Sequence, residues 1–306
     1  MRILKLAEEH GYTPDPLTST LMNHLRTARK NRSIEKLAYL TWWGSVDEWR
    51  KSPNDINWYT GVQTRAEALG YELEHIWARE PGMTAARLSR ILYTRAIRGV
   101  IIAPLLRARG HLSLNWQHLA AATISFTVVK PDLHRTAHHH HNGIVLALRR
   151  LKHLGYKRVG LANRVDQIER VNHGWLAGYL VYNHGLPAKN RIPPLLQREW
   201  DEKKFAEWIE KHKIQAVVSN TQEPLYSLRK HGYRVPEDVA YASLDLLRAE
   251  DLWAGIDQQP RIIASSAVDL VAAQLQRNEY GLPSCAKTVY LEGVWRDGPT
   301  VVPRTD

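Results

Sequence analysis

Cysteine, phenylalanine and methionine are scarce in this 306-residue chain, with one, two and three copies respectively. The single cysteine, Cys285, excludes an internal disulfide and agrees with a reducing compartment. No apolar run approaches the roughly 18 residues that a membrane-spanning helix needs. Glu8 and Glu9 also stand where a secretory signal would need its apolar centre. We therefore expect a cytoplasmic protein that neither spans nor contacts a membrane.

Signatures of catalysis and of metal binding are missing too. The sequence has no G-x-S-x-G, Walker, H-E-x-x-H or C-x-x-C motif. Four consecutive histidines occupy 138–141, but consecutive residues of a helix point in directions about 100° apart. We interpret this run as a partly solvated helix start. The sequence predicts no metal site, no cofactor and no enzymatic activity.

Positive charge is what the chain has in excess, with 42 Lys and Arg against 31 Asp and Glu and a net charge of +11. This balance suits a polyanion such as DNA, although an arginine-rich composition is also common among soluble bacterial proteins. The position of the charge is more informative than the total, because four cations cluster after the first segment of the chain. They are Arg26, Arg29, Lys30 and Arg32.

From residue 36 onward, short apolar runs typical of strands alternate with helical patterns of 10–15 residues. The pattern predicts, for example, a strand over 37–41, a helix over 58–69, a helix over 136–154 and a strand over 158–162. Strands that alternate with helices indicate a parallel sheet. Because there are too many strands for one small sheet, we predict an α/β fold with two Rossmann-like halves.

The stretch HGYRVPEDVAYASLD, residues 231–245, predicts a helix end, a turn and a buried strand in that order. Gly232 suits the left-handed position after a helix, and Pro236 forces an extended link before the strand. Asp245 stands where the strand ends, and ligands of open α/β sheets bind outside the carboxyl ends of strands. Its carboxylate either accepts hydrogen bonds from a ligand or caps the following turn.

Eleven tryptophans are a high number, and most of them are expected in the core. Trp42 and Trp43 are candidates for another role, because they follow the first predicted strand on the side of the crevice. An indole face stacks well on the apolar C–H face of a sugar, and its N–H is a polar handle. We therefore include both as candidate ligand-binding residues.

Three stretches, in this order, resemble the LacI/GalR family of bacterial transcription regulators. LAEEHGYTPDPLTSTLMNHLR resembles the end of that family's helix-turn-helix domain and its hinge helix. HLGYKRVGLA resembles a loop that leads into a strand, and GYRVPEDVAYASLD is similar to the family pattern G-x-x-V-P-x-D-v-s-v-v-g-f-D. With weaker matches such as RAEALGYEL, the resemblance covers nearly the whole chain.

The resemblance implies a core like that of type I periplasmic binding proteins, in which two subdomains hold a small effector between them. Residues 1–33 would be a remnant of the helix-turn-helix domain with its hinge. The N-subdomain would comprise 34–128 and 257–282, and the C-subdomain 129–256 and 283–306. The family implies a homodimer on operator DNA, controlled by an effector that is most simply a sugar.

Several effector-binding residues follow from the same resemblance. Arg170 matches the family's effector-contacting arginine, and Asp245 matches its terminal acid. Asn220 matches the first residue of an N-D pair whose aspartate is replaced here by Thr221. Trp175 stands where the family usually has a second arginine. These two departures leave the identity of the effector open.

On the DNA side, Leu21 falls where the family inserts an apolar wedge into the minor groove, next to the cations Arg26, Arg29 and Lys30. A complete helix-turn-helix would need roughly 25 more residues before Met1, so the chain alone is expected to bind DNA weakly and without sequence preference. The alternative is a sugar-binding protein of transport type without a role on DNA.

Overall fold

A computed structural model describes residues 35–246 and 252–304. The predicted first domain, 1–33, lies outside the described residues, and so do its predicted DNA contacts. These are Leu21, Arg26, Arg29 and Lys30. Within the described ranges, no helix is long and apolar enough to cross a membrane.

Strands and helices alternate through most of the described chain. The strands are β1 (Lys36–Thr41), β2 (Glu72–Trp77), β3 (Gly99–Ile102), β4 (Gly110–His111), β5 (Ala120–Ile124), β6 (Val128–Lys130), β7 (His134–His138), β8 (Val159–Arg164), β9 (Leu195–Gln197), β10 (Ala216–Ser219), β11 (Ala240–Ser243), β12 (Ala254–Asp257), β13 (Thr288–Leu291) and β14 (Val294–Arg296). The α-helices are α1 (Pro53–Ala68), α2 (Ala85–Thr94), α3 (His140–His153), α4 (Val165–Arg170), α5 (Gly174–His184), α6 (Glu202–His212), α7 (Glu223–Lys230) and α8 (Pro260–Gln276). Short 3-10 helices cover Glu48–Lys51 and Ala188–Asn190.

Two six-stranded sheets organise the chain. The first has the strand order β13-β7-β5-β3-β1-β2 and is parallel throughout. The second has the order β14-β12-β11-β10-β8-β9 and is parallel except for β14, which runs antiparallel to β12. β4 and β6 form a separate two-stranded piece. The predicted α/β fold with two parallel-sheet halves is thus confirmed.

Each six-stranded sheet has helices on both faces, which explains why its central strands are apolar throughout. In the first half, α1 and α8 pack on one face, around Tyr39 and Val268, and α2 packs on the other through Leu92. In the second half, α3 and α5 cover one face, while α6 and α7 cover the other. All four residues of β3 and all four of β10 are buried, as expected for strands covered on both sides.

Two strands lie in the first sheet although the predicted domain boundaries place their residues in the second half. β7 and β13 both belong to the first sheet, whereas the predicted boundaries assigned 129–256 and 283–306 to the second half. β7 pairs with β5 on one side and with β13 on the other. The chain passes between the two sheets after β7, after β12 and after β13. Strand pairing decides sheet membership, and the apolar pattern of a single strand does not reveal its partner.

The run of four histidines also differs from its prediction. It joins a strand to a helix, since β7 ends at His138 and α3 begins at His140, whereas one helix was predicted over 136–154. His138 and His140 are buried, at 2% and 6% exposed, whereas His139 and His141 are partly exposed at the helix start, so the predicted partly solvated helix start holds for two of the four histidines. The His139 ring packs on Tyr290, and that of His140 packs edge-on against Trp175.

Candidate ligand-binding cleft

A cavity of about 330 Å³ lies where the carboxyl ends of the two large sheets face each other. Trp43, after β1, and Ser125, after β5, line it from the first half. Asn220, after β10, and Asp245, after β11, line it from the second half. Its size and its position at strand ends are typical of small-molecule sites in α/β proteins.

The N-terminus of α1 brings polar side chains into this cavity. Ser52 caps the helix, because its Oγ accepts a hydrogen bond from the Asp55 backbone N–H at 3.3 Å, and Pro53 takes the first helical position. Asn54 then donates from Nδ2 to Oδ2 of Asp245 at 3.1 Å, which links the first half to the second. Trp43 donates from Nε1 to Oδ1 of Asp55 at 3.3 Å.

Asp55 is a buried carboxyl group, 4% exposed, on the wall of the cavity. Burial raises its pKa to about 6, although the hydrogen bonds from Ser52 and Trp43 and the charge of Arg170 act in the opposite direction. Burial disfavours the charged form, so Asp55 is ionised at neutral pH by only a narrow margin. Its carboxylate therefore accepts hydrogen bonds at neutral pH and takes up a proton when the pH falls below about 6.

Arg170 ends α4 and reaches across the cleft. Its Nη1 donates to the backbone oxygens of Leu105 and Leu106, both at 2.7 Å, in the segment after β3. Burial lowers the pKa of Arg170, and the negative charges of Asp55 and Asp166 oppose this effect. The guanidinium thus supplies positive charge to the cavity and a second hydrogen-bonded link between the halves.

Trp175 and His140 form an aromatic wall at the side of the second half. Trp175 is 2% exposed, and its ring meets that of His140 edge-on with 5.0 Å between centroids. Burial lowers the pKa of His140 well below its usual range, so the ring is neutral and offers one donor and one acceptor nitrogen. The buried Nε1 of Trp175 has no hydrogen-bond partner among the described residues.

Asn220 is held in place by two hydrogen bonds. Its backbone N–H donates to Oδ1 of Asn163 at 3.1 Å, and its Nδ2 donates to Oε1 of Gln167 at 3.2 Å. Its Oδ1 is buried and, in the part of the chain that the structure describes, has no donor. Buried polar atoms in proteins are nearly always paired, so unpaired ones beside a cavity are suited to a ligand's hydroxyl groups or to water.

Five of the six residues predicted to bind the effector line this one cavity. They are Arg170, Asp245, Trp43, Asn220 and Trp175. Trp42 does not, because neighbouring residues of an extended segment point to opposite sides. It packs against the core beneath α2 and lines a separate cavity of about 290 Å³ with Met83 and His111.

The sequence-based set lacked several residues that line the cavity. These are Ser52, Asn54, Asp55, Trp58, Ser125, His140, Gln167 and Gln258. For α1, a signal was present in S-P-N-D at 52–55, a capping residue followed three positions later by an acid. Among residues 35–246 and 252–304, no three His, Cys, Asp or Glu side chains come together as metal ligands.

No protein-family model matches the sequence, and no curated protein sequence matches it either. Solved structures do match the fold. A transcription-regulator-like protein from Staphylococcus haemolyticus superposes with a TM-score of 0.63 and 11% identity, covering 89% of this chain and 100% of that one. The Lac repressor dimer bound to operator and an anti-inducer gives 0.60 and 17%, covering 95% and 99%.

A third similar structure is a periplasmic binding protein/LacI transcriptional regulator from Alkaliphilus metalliredigens, complexed with D-xylulofuranose. It superposes with a TM-score of 0.61 and 12% identity, covering 88% of this chain and 99% of that one. At such identities the likeness is one of fold, and it extends over both halves and the cleft between them. The structural neighbours of this chain are LacI-family transcription regulators, and it has their fold.

Proposed function

We propose that this chain is a LacI-type transcription regulator, not an enzyme, and that its cleft binds a small uncharged sugar. The observation that carries the proposal is the pair of hydrogen-bonded links across one cavity. Asn54 joins Asp245, and Arg170 joins the backbone of Leu105 and Leu106. A ligand in this position contacts both halves and therefore acts on the angle between them.

The charges in the cavity favour an uncharged, hydroxyl-rich ligand. Asp55 and Asp245 are acceptors, and Arg170 is a cation that lines the same cavity. A phosphorylated sugar would meet two carboxylates, whereas a neutral sugar can donate to the carboxylates and accept from the guanidinium. Trp43 and Trp58 offer indole rings from the first half, and indoles stack on sugar rings. The sugar in the Alkaliphilus neighbour supports the same choice.

The proposed mechanism is a shift between two angles of the halves. A sugar whose hydroxyls replace the cross-cleft hydrogen bonds stabilises one angle only to the extent that it binds that angle more tightly. In a homodimer, this change would reach the predicted hinge cations Arg26, Arg29 and Lys30, and the predicted wedge Leu21, on operator DNA. The operator complex of the Lac repressor dimer supports the DNA part of the proposal.

Thermal unfolding in the presence of a ligand panel tests the site. The panel contains neutral pentoses, hexoses and disaccharides, the corresponding sugar phosphates, and amino sugars. We expect a neutral sugar to raise the unfolding temperature of the wild-type protein. Arg170→Met and Asp245→Asn should each weaken that sugar's binding by roughly ten- to a hundredfold, the loss expected for a charged hydrogen-bond partner.

Arg234→Met serves as the control, because Arg234 is an exposed arginine paired with Asp238, away from the cavity lining. It should leave sugar binding unchanged. Equal stabilisation of all these variants by a sugar would place the site elsewhere. A clear preference for a sugar phosphate over the neutral sugar would contradict the proposed ligand class.

A further inference from the structure

A second charged surface lies at the opposite end of the second half from the cleft. Strands β8, β9 and β10 have their carboxyl ends at the cleft, and their amino ends are preceded by segments rich in lysine and arginine. We call this surface the basic end and define it by seven side chains: Lys152, Arg158, Lys189, Arg191, Lys211, Lys213 and Arg304.

Hydrogen bonds show that these segments meet. The Arg158 guanidinium donates from Nε to the backbone oxygen of His212 and from Nη1 to that of Lys189. The Arg304 backbone N–H donates to the oxygen of Leu154, at the end of α3. One guanidinium therefore touches two of the other segments, and the C-terminal segment lies against the one that carries Lys152.

Negative charge is sparse in the same segments, and the acid nearest to Arg304 in sequence is Asp306, two positions later. Residues 152–158, 184–191, 211–215 and 302–304 contain no Asp or Glu. In the described part of the chain, no ion pair involves any of the seven side chains of the basic end. Glu210 adjoins Lys211 in sequence, but among the described residues it forms no ion pair with the side chains of the basic end. Burial lowers the pKa of His212, and the charges of Lys211 and Arg158 lower it further, as a positive local field does.

The chemistry of the basic end favours a phosphate backbone over an acidic peptide. Lys152, Lys189, Lys211 and Lys213 are exposed, and ammonium groups at the surface can neutralise phosphates. Recognition of this kind needs charge rather than apolar pockets and reads no base sequence. We propose that the basic end binds the phosphate backbone of double-stranded DNA, independently of sequence and separately from the sugar cleft.

A quadruple variant tests this inference: Lys152→Gln, Lys189→Gln, Lys211→Gln and Lys213→Gln. It leaves Arg158 and Arg191, which bond to backbone oxygens, in place. The matched control replaces four exposed lysines elsewhere, Lys51, Lys130, Lys203 and Lys287, by Gln and so changes the net charge equally. Both proteins are titrated with a labelled duplex of mixed sequence over a range of salt concentrations.

Each neutralised phosphate contributes about −0.9 to the slope of log affinity against log salt. We expect the basic-end variant to bind at least about tenfold more weakly at low salt, with a slope less steep by about 2 to 3, and the control to bind like the wild type. Equal losses in both variants would reduce the effect to net charge and overturn the inference, as would absence of DNA binding by the wild type.

Two further measurements complete the test. Unchanged thermal unfolding of the basic-end variant shows that it is folded, and unchanged binding of the cleft's sugar separates this inference from the proposed function. A variant that binds DNA normally but no longer binds poly-glutamate would identify an acidic protein as the partner and overturn the assignment to DNA.

Discussion

Asp55 is the residue at which burial and charge conflict most directly. Its carboxyl group is held by Ser52 and Trp43 beside Arg170, yet its pKa rises to about 6 because the surrounding packing excludes water. An asparagine of the same shape keeps an acceptor for the Trp43 indole and removes the charge. The Asp55→Asn variant therefore isolates the effect of ionisation.

The pH dependence of stability should follow from this shift. Between the ordinary pKa of 3.8 and the folded value of about 6, the folded chain keeps a proton that the unfolded chain has lost. The stability of the wild type relative to Asp55→Asn should thus fall as pH rises through this window and stay level above it. Between pH 5 and pH 7 we expect a change of about 1 kcal/mol.

Urea unfolding of both proteins across this pH range measures the effect. Groups other than Asp55 cancel in the difference between wild type and variant. A difference that is constant with pH would mean that Asp55 does not titrate in this window. A pKa that is lowered on folding would also leave the difference constant here, because its effect would lie below the ordinary value of 3.8.

The residues of the site were only partly predictable from sequence. Arg170 and Asp245 could be found because the motifs that contain them match a family pattern over several positions. Asn54 and Asp55 were missed because the helix was predicted to begin at 58, which left the S-P-N-D cap in a loop. His140 was missed because a continuous helix was predicted over the histidine run, and only strand pairing places its ring at the cavity.

The packing of α1 against α8 fixes the position of Asn54 and Asp55, which line the cavity from the first half. The two helices are in tight contact at Gly61, where an added Cβ would lie 2.3 Å from the backbone oxygen of Arg261. A backbone atom cannot move aside like the end of a flexible side chain. The glycine therefore sets the separation of the helices.

Replacing Gly61 by alanine should destabilise the protein by roughly 1–3 kcal/mol, the usual result of overpacking a tight contact. It should also weaken sugar binding, because α1 must shift and carries Asn54 with it. Gly185→Ala is the control, since Gly185 ends α5 with a helical φ of −72° and its added Cβ would meet Tyr182 at an ordinary 3.5 Å. Urea unfolding compares the two, and equal stability would show that α1 and α8 separate without cost.

Most elements were predictable in kind, because the strands are short apolar runs and the helices have caps or glycine ends. The alternation of strands and helices also predicted parallel sheets, since strands that are separated by helices pair in parallel. Sheet membership was not predictable for β7 and β13. β13 pairs with β7, which lies far from it in sequence, and this pairing depends on register and on the positions of the chain crossings.

The surface of α2 is the candidate for contact with a second copy of the chain. Tyr93 on this helix is 74% exposed, the highest value among the large hydrophobic side chains described. It borders a cavity of about 680 Å³ that Ile97, His118 and Tyr280 also line. Exposed apolar surface of this kind is typical of protein contacts.

A regulator that acts on a two-fold symmetric operator needs a two-fold symmetric partner, so we expect a homodimer. Sedimentation at micromolar concentration should give about twice the chain mass of 35.1 kDa. Tyr93→Glu should shift the protein towards the monomer, because a carboxylate would be buried without a partner. Tyr226→Glu, on the 56% exposed Tyr226 of α7, should leave the dimer intact. A wild-type protein that sediments as a monomer would instead favour a sugar-binding protein of transport type, in which one cleft works without a partner.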